Sequence, residues 1–132
     1  IRTSNKKIKK DTDIYLVDTY GETKKFFNIS KIAFIGGSLV KHGGQNPIEP
    51  ARLKLNIIHG PYVDNFRDIY KLFNKKKIAY KIKNSNQLLN ITKNILKTKK
   101  NRKINLEKIG NLILKKSIIE LMNIYKNEIK KA

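Results

Sequence analysis

Four of the seven glycines, Gly36, Gly37, Gly43 and Gly44, fall within nine residues, and the three prolines follow between positions 47 and 61. Residues 35–66 hold only two lysines, Lys41 and Lys54, although the chain carries 26 in all. A strand-like run ends in Gly36-Gly37-Ser38, and a polar loop follows. Gly43-Gly44-Gln45-Asn46-Pro47 then opens a helix, with Asn46 as a capping residue and Pro47 suited to the first helical position. Glycines let a backbone approach a ligand closely and adopt positive φ. A helix start offers unpaired N–H groups and a partial positive charge, which together accept phosphate. Glu49, one turn into that helix, is placed to accept hydrogen bonds from sugar hydroxyls. A glycine-rich turn with a capped helix and no ligand would explain one glycine pair, but it leaves the whole constellation without a reason.

Gly21-Glu22-Thr23 repeats the theme at the end of a preceding strand-like run. Taken alone, that triplet also reads as an ordinary helix start with Glu22 complementing the dipole. His42, beside the glycines, is a candidate donor to an anion, whereas His59 at a strand end reads as structural. There is no cysteine, which removes disulfides, a thiol nucleophile and thiolate metal sites together. With two histidines there is no metal-ligand spacing, and neither a Ser-His-Asp set nor a paired-carboxylate site can be assembled.

The elements that must hold this window follow from periodicity. Residues 13–18 predict a strand, 21–28 a short helix with Phe26 and Phe27 inward, and 31–35 a second strand. A helix follows from Asn46, and 56–59 predict a third strand stopped by Gly60-Pro61. Asp64 or Asn65 caps a helix through Phe66, Ile69, Tyr70 and Phe73, and 78–82 predict a fourth strand. From Ser85, read as a cap, the pattern is helical only, with Leu88, Leu89, Ile91, Ile95 and Leu96 on one face. After a charged break at 97–103 comes the stripe Leu114, Ile118, Leu121, Tyr125 and Ile129, in a helix beginning near Leu106. Both stripes read as core contacts. Four strands alternating with helices make an α/β layer on a mainly parallel sheet. Ligands of such sheets bind beyond the carboxyl ends of the strands, where the glycine window belongs.

The 132 residues suit one domain, and the start Ile1-Arg2-Thr3, without Met, reads as a piece of a longer protein. The formal charge is +20, from 26 lysines, 4 arginines and 10 acidic residues. Direct base readout favours arginine's planar fork, and no nucleic-acid recognition motif is present. A basic nucleic-acid-binding module is therefore disfavoured, and the lysine excess reads as a solvated surface. Residues 71–132 carry 18 basic and 3 acidic groups, against 12 and 7 in residues 1–70. That half is a candidate to face an anionic membrane surface. No apolar run approaches the roughly 20 residues needed to span a bilayer, so the piece itself is expected to be soluble.

The run from Phe34 to Ala51, FIGGSLVKHGGQNPIEPA, resembles the signature of the bacterial 3-deoxy-D-manno-octulosonic acid (Kdo) transferases. Asp18-Thr19-Tyr20-Gly21-Glu22-Thr23 and Gly60-Pro61-Tyr62 with Asn65-Phe66 resemble two further family segments, in the expected order. The likeness covers residues 14–75 well and the remainder by pattern. It implies a Rossmann-like sheet flanked by helices, as the C-terminal, donor-binding half of a GT-B glycosyltransferase with extra C-terminal helices. By that likeness residues 1–132 form a single, partial domain whose N-terminal acceptor domain is absent. The implied donor is CMP-Kdo, and the implied acceptor a lipid A precursor at the cytoplasmic face of the bacterial inner membrane. The implied transfer inverts the anomeric centre and uses no metal or other cofactor. Matching positions place Gly21, Glu22, Thr23, Asn46, Pro47, Ile48 and Glu49 against CMP, and Ser38, Gly44 and Gln45 near the phosphate or the Kdo carboxylate. No catalytic residue is expected within the piece, which would then bind donor without transferring it. The chain departs from the family pattern at Thr23, where a larger apolar residue is common, and at Lys41, where proline is common. The remaining alternative of this kind is another GT-B sugar-nucleotide transferase or an epimerase, which shares the glycine loop and the helix carboxylate.

Overall fold

A computed structural model describes residues 9–98 and 106–129. They fall into two compact units, Ile1–Lys99 and Lys100–Ala132. In the first unit three strands, β1 (Ile32–Ile35), β2 (Asn56–His59) and β3 (Ala79–Lys81), form a parallel sheet in the order β1-β2-β3. The register pairs Ile32 with Asn56 and Ile35 with His59, then Ile57 with Ala79 and His59 with Lys81. Helices α1 (Thr23–Ile29), α2 (Ile48–Arg52), α3 (Arg67–Lys75) and α4 (Ser85–Lys97) surround it, and a 3-10 turn (Asp64–Phe66) leads into α3.

The core follows from which strand has neighbours. β2 lies between the other two, and Ile57, Ile58 and His59 are all buried, as a strand covered on both faces requires. β1 is at an edge and alternates, with Ala33 and Ile35 buried and Phe34 open. Tyr70 and Phe73, three positions apart on α3, close over the sheet with Ala51, Leu55, Ile78, Ala79 and Ile82. Every crossover returns the chain to the same end of the sheet. The loops after β1 and β2 therefore meet there.

Three expectations are corrected. Residues 13–18 form no strand: Ile14 is 87% and Leu16 60% exposed, and no described strand lies alongside to pair with them. Strand propensity needs a neighbour's ladder to take effect; here Tyr15 instead packs on Phe26, ring centres 5.6 Å apart. α4 is capped by Asn84, not Ser85: Asn84 Oδ1 accepts from the Gln87 amide at 2.9 Å, and Gln87 Oε1 accepts from the Lys83 amide at 2.8 Å.

The third concerns the helical stripes. In α4, Leu88, Ile91 and Ile95 are half-buried, but Leu89 and Leu96 are exposed. The second unit contains helix α5 (Leu106–Ile129), which starts where expected. Its Leu114, Ile118, Leu121 and Tyr125 are exposed, so the described part of this stripe is not core, and the side chain of Ile129 lies outside what is described. The charged break at 97–103 lies mostly outside the described residues. No described helix is long and apolar enough to cross a membrane.

Lys54 and Lys77 both adopt left-handed backbone, at φ 63° and 56°, where α2 and α3 turn into the next strand. Such turns favour glycine because a Cβ crowds the following carbonyl. Lys77→Gly is expected to raise stability by up to about 1 kcal/mol, after glycine's own entropy loss is counted. A lower urea midpoint for the variant would instead mean that the lysine side chain holds the turn.

Candidate glycine-turn site

The loop after β1 is fastened to the loop after β2 by one side chain. Ser38 is wholly buried; its hydroxyl donates to the Ile35 carbonyl at 2.5 Å and accepts from the Gly60 amide at 2.8 Å. The Tyr62 amide donates to the Ser38 carbonyl at 2.9 Å. The two loops run so close that a Cβ at Gly60 would collide with the Ser38 carbonyl and the Leu39 amide nitrogen. Ser38 thus lies under the loop and holds it, and its hydroxyl is not presented to a ligand.

The orientation of the glycine turn comes from donors outside it. Gly43 and Gly44 have φ of 86° and 70°, which only glycine adopts at little cost. Asn65 donates its amide N–H to the Gly43 carbonyl at 3.1 Å, and its side-chain Nδ2 to the carbonyls of His42 and Gly44 at 3.4 Å each. Tyr70 Oη donates to the Gln45 carbonyl at 2.9 Å. No peptide bond here is cis. In a planar trans peptide the C=O and the following N–H point in opposite directions. Holding the Gly44 and Gln45 carbonyls toward Asn65 and Tyr70 therefore turns the Gln45 and Asn46 amides away from the protein. Neither amide has a hydrogen-bond partner among the described residues. The Gly44 amide, expected to face a ligand, is instead bonded to the Gly37 carbonyl at 3.2 Å. Within the expected run of amides from Gly44 to Asn46, Gln45 and Asn46 are therefore the two left free.

Tyr70 is itself held. Its ring lies 4.4 Å from the ring of His59, and both are buried. His59 Nδ1 lies 2.7 Å from the Gly60 carbonyl, an obligate acceptor, so this nitrogen carries the proton. Nε2 then accepts from Asn74 Nδ2 at 3.1 Å. Burial lowers the His59 pKa below its usual 6.5, so the ring is uncharged at neutral pH. Burial also pushes the Tyr70 phenol well above its ordinary 10, and it remains an O–H donor. The reading of His59 as structural agrees with these contacts.

On one side of the turn is a hollow of about 500 Å³ lined by Lys24, Asn46, Ile48, Glu49, Arg52 and Leu53. Asn46 Oδ1 caps the helix start by accepting from the Ile48 amide at 2.9 Å, and Pro47 is buried beneath. Of the residues singled out from sequence, Asn46, Ile48 and Glu49 come together here, with the outward amides beside them. Gln45 is exposed. Gly21, Glu22 and Thr23 line neither this hollow nor the one beyond the turn. Glu22 is engaged locally, accepting from Thr19 Oγ1 at 2.6 Å and lying 3.7 Å from Lys25 Nζ. That segment reaches the hollow through Lys24, which sequence reasoning missed. Arg52, three residues after Glu49 on α2, was missed too, although its spacing places both on one face. Tyr70 was legible only as a stripe residue.

A second hollow of about 450 Å³, across the turn, is lined by Lys41, His42, Gly43, Tyr62, Asp64 and Asn65. Among the described residues no group of three His, Cys, Asp or Glu side chains is placed to hold a metal.

No family model matches the chain. It is 44% identical over 71 residues to the 3-deoxy-D-manno-octulosonic acid transferase of Haemophilus influenzae, covering 54% of this chain and 17% of that protein. It is 33% identical over 92 residues to the transferase of the same name from Aquifex aeolicus, covering 70% and 26%. The chain thus spans about a quarter or less of these relatives. The crystal structure of the C-terminal CMP-Kdo binding domain of WaaA from Acinetobacter baumannii superposes with a TM-score of 0.66 at 30% identity. That match covers 72% of this chain and 50% of the other. The parallel sheet with flanking helices is therefore that of a GT-B donor-binding domain, as expected.

Gly60→Ala is expected to cost at least about 3 kcal/mol, since backbone rather than a flexible side chain occupies the space. Chemical denaturation checks it, and a wild-type midpoint would show that the two loops are not fastened as described.

Proposed function

From the premise that this chain is a homologue of the Kdo transferases and folds as their C-terminal domain does, we propose that it binds CMP-Kdo as sugar donor. In this reading residues 1–132 are the donor half of a glycosyltransferase that passes Kdo to a lipid A precursor. The observation that carries the reading is the pair of outward amides, Gln45 and Asn46, next to a hollow containing Glu49, Lys24 and Arg52. An anionic phosphate suits the amides and the two cations, and vicinal ribose hydroxyls suit the carboxylate. Ile48 and Leu53 offer apolar surface for the base.

The chemistry follows from where charge develops. As the bond between the sugar and the phosphate breaks, negative charge gathers on the departing CMP. Amides whose direction is already fixed stabilise that charge without reorganising, which lowers the barrier. Gln45 and Asn46 do this here, and Asn65, Tyr70 and Ser38 hold them. A carboxylate on a separate N-terminal domain of the parent protein removes the proton from the acceptor hydroxyl, and attack from the opposite face inverts the anomeric centre. The step needs no metal, because main-chain donors and cations meet the leaving group. Alone, these residues bind the donor without transferring its sugar. An acceptor of this type places the parent at the cytoplasmic face of the inner membrane, where the lysine-rich surface favours anionic lipid. Gly21, Glu22 and Thr23 contact the outer edge of the nucleotide in this reading.

Calorimetric titration of the chain with CMP, UDP and GDP is the test. CMP is expected to bind more tightly than the other two. Glu49→Ala is expected to weaken CMP about tenfold, the loss of a charge-assisted hydrogen-bond pair, at an unchanged melting temperature. Unchanged affinity in the variant would remove Glu49 from the site, and equal affinity for all three nucleotides would contradict a CMP-linked donor.

A further inference from the structure

Helix α4 carries apolar residues on two faces, and only one of them serves the fold. Leu88, Ile91 and Ile95 are half-buried. Leu89 and Leu96 are 51% and 53% exposed. They stand two helical turns apart, so they lie one above the other, about 10 Å apart along the axis. Lys93 falls between them, four residues after Leu89 and three before Leu96, and Lys97 continues the strip. A single exposed leucine needs no reason. Two on one strip with two lysines, on a helix whose other face already packs inward, do need one.

The charge around this strip is of one sign. Residues 69–98 hold eight lysines and neither aspartate nor glutamate, and along the chain the nearest carboxylates are Asp68 and Glu107. Lys81 and Lys83 lead into α4 through its cap, Asn84. Lys81, Lys83, Lys93 and Lys97 are exposed, with no ion-pair partner among the described residues. Lys93 and Lys97 form a like-charge pair four residues apart, a small cost to the helix that an external anionic surface removes.

The mixture of apolar and cationic side chains identifies the partner. A hydrated polyanion such as a nucleic acid uses lysines and leaves leucines in water. A bilayer surface uses both: leucines enter the boundary between headgroups and acyl chains, while lysines extend along it to the phosphates. With 13 residues α4 is too short to cross a bilayer, so it lies along the surface.

We propose that the outward strip of Leu89, Lys93, Leu96 and Lys97 docks α4 on an anionic membrane surface, with Lys81 and Lys83 reaching the same headgroups at its N-terminal end. This rests on the membrane location proposed above and gives it residues. It draws on nothing in the nucleotide site, so either reading can fail alone.

The test is co-sedimentation of the 132-residue chain with vesicles at physiological ionic strength, phosphatidylcholine alone against an equimolar mixture with phosphatidylglycerol. Binding is expected to the mixed vesicles only. Because the chain carries +20 overall, variants must separate this strip from total charge. Lys93→Gln with Lys97→Gln is expected to weaken binding by about tenfold to thirtyfold, at roughly fivefold per lysine close to the surface. Lys10→Gln with Lys31→Gln removes the same charge elsewhere on the chain and is expected to weaken it by about threefold or less. Leu89→Ser with Leu96→Ser keeps the charge and is expected to weaken binding about tenfold, with CMP affinity and melting temperature unchanged. The chain has no tryptophan, so Leu89→Trp supplies a single reporter. Its emission is expected to shift to the blue on mixed vesicles, whereas that of Ile29→Trp, at another exposed position, stays in place. Equal losses from the two lysine pairs would reduce the binding to total charge and overturn the proposal. Undiminished binding by the leucine variant, or an unshifted Leu89→Trp emission, would mean that the lysines serve a hydrated polyanion, and would overturn it as well. A wild-type chain that ignores mixed vesicles yet binds CMP would overturn the docking surface and leave the donor reading standing.

Discussion

The site depends on a property of the peptide bond. A trans amide cannot turn its carbonyl inward without turning its N–H outward. Two donors use this in succession: Asn65 draws the Gly44 carbonyl and Tyr70 draws the Gln45 carbonyl. Each of two adjacent amides is thereby turned away from the group that holds its carbonyl. Asn65 belongs to the loop after β2 and Tyr70 to α3, so the direction of the first loop is dictated by the second crossover. The sheet brings the two loops to one end, and the buried Ser38 hydroxyl keeps them in contact. The hollows on either side of the turn follow from the positions of these walls.

The anion affinity we propose for the turn does not come from a helix dipole. Helix α2 has five residues, too few to sum a large macrodipole. In the proposed reading that affinity comes from the fixed direction of two main-chain donors and from Lys24 and Arg52 nearby. Such a cradle keeps its direction only while its supports are intact. The uncharged, buried His59 packed on Tyr70 is one such support, and the close approach at Gly60 is another.

Much of the fold was legible in the sequence wherever local pattern and tertiary demand coincide. Residues 31–35 and 56–59 read as strands from their apolar runs closed by polar or glycine residues, and Ile32–Ile35 and Asn56–His59 pair in the sheet. Phe66, Ile69, Tyr70 and Phe73 read as one helix face, and Tyr70 and Phe73 do enter the core. Residues 13–18 have the same strand composition but no described neighbour, and composition does not report a missing partner. The α5 stripe has helical period, yet period alone does not say what covers it. At the site, the glycines, Asn46 and Glu49 stood out by type and order. The choice of Gln45 and Asn46 over Gly44 as free donors was not legible, since it depends on hydrogen bonds spanning 21 and 25 residues. Lys24 and Arg52 were hidden by the abundance of basic residues around them.

The central claim is that the Gln45 and Asn46 amides are fixed outward to receive a phosphate. Amide-resolved NMR of the uniformly nitrogen-15-labelled chain during titration with CMP tests it most directly. The account predicts that these two amide resonances move furthest downfield with rising CMP, while the Gly44 amide, bonded to Gly37, moves little. Stationary Gln45 and Asn46 resonances under saturating CMP, or a dominant shift at Gly44, would contradict it.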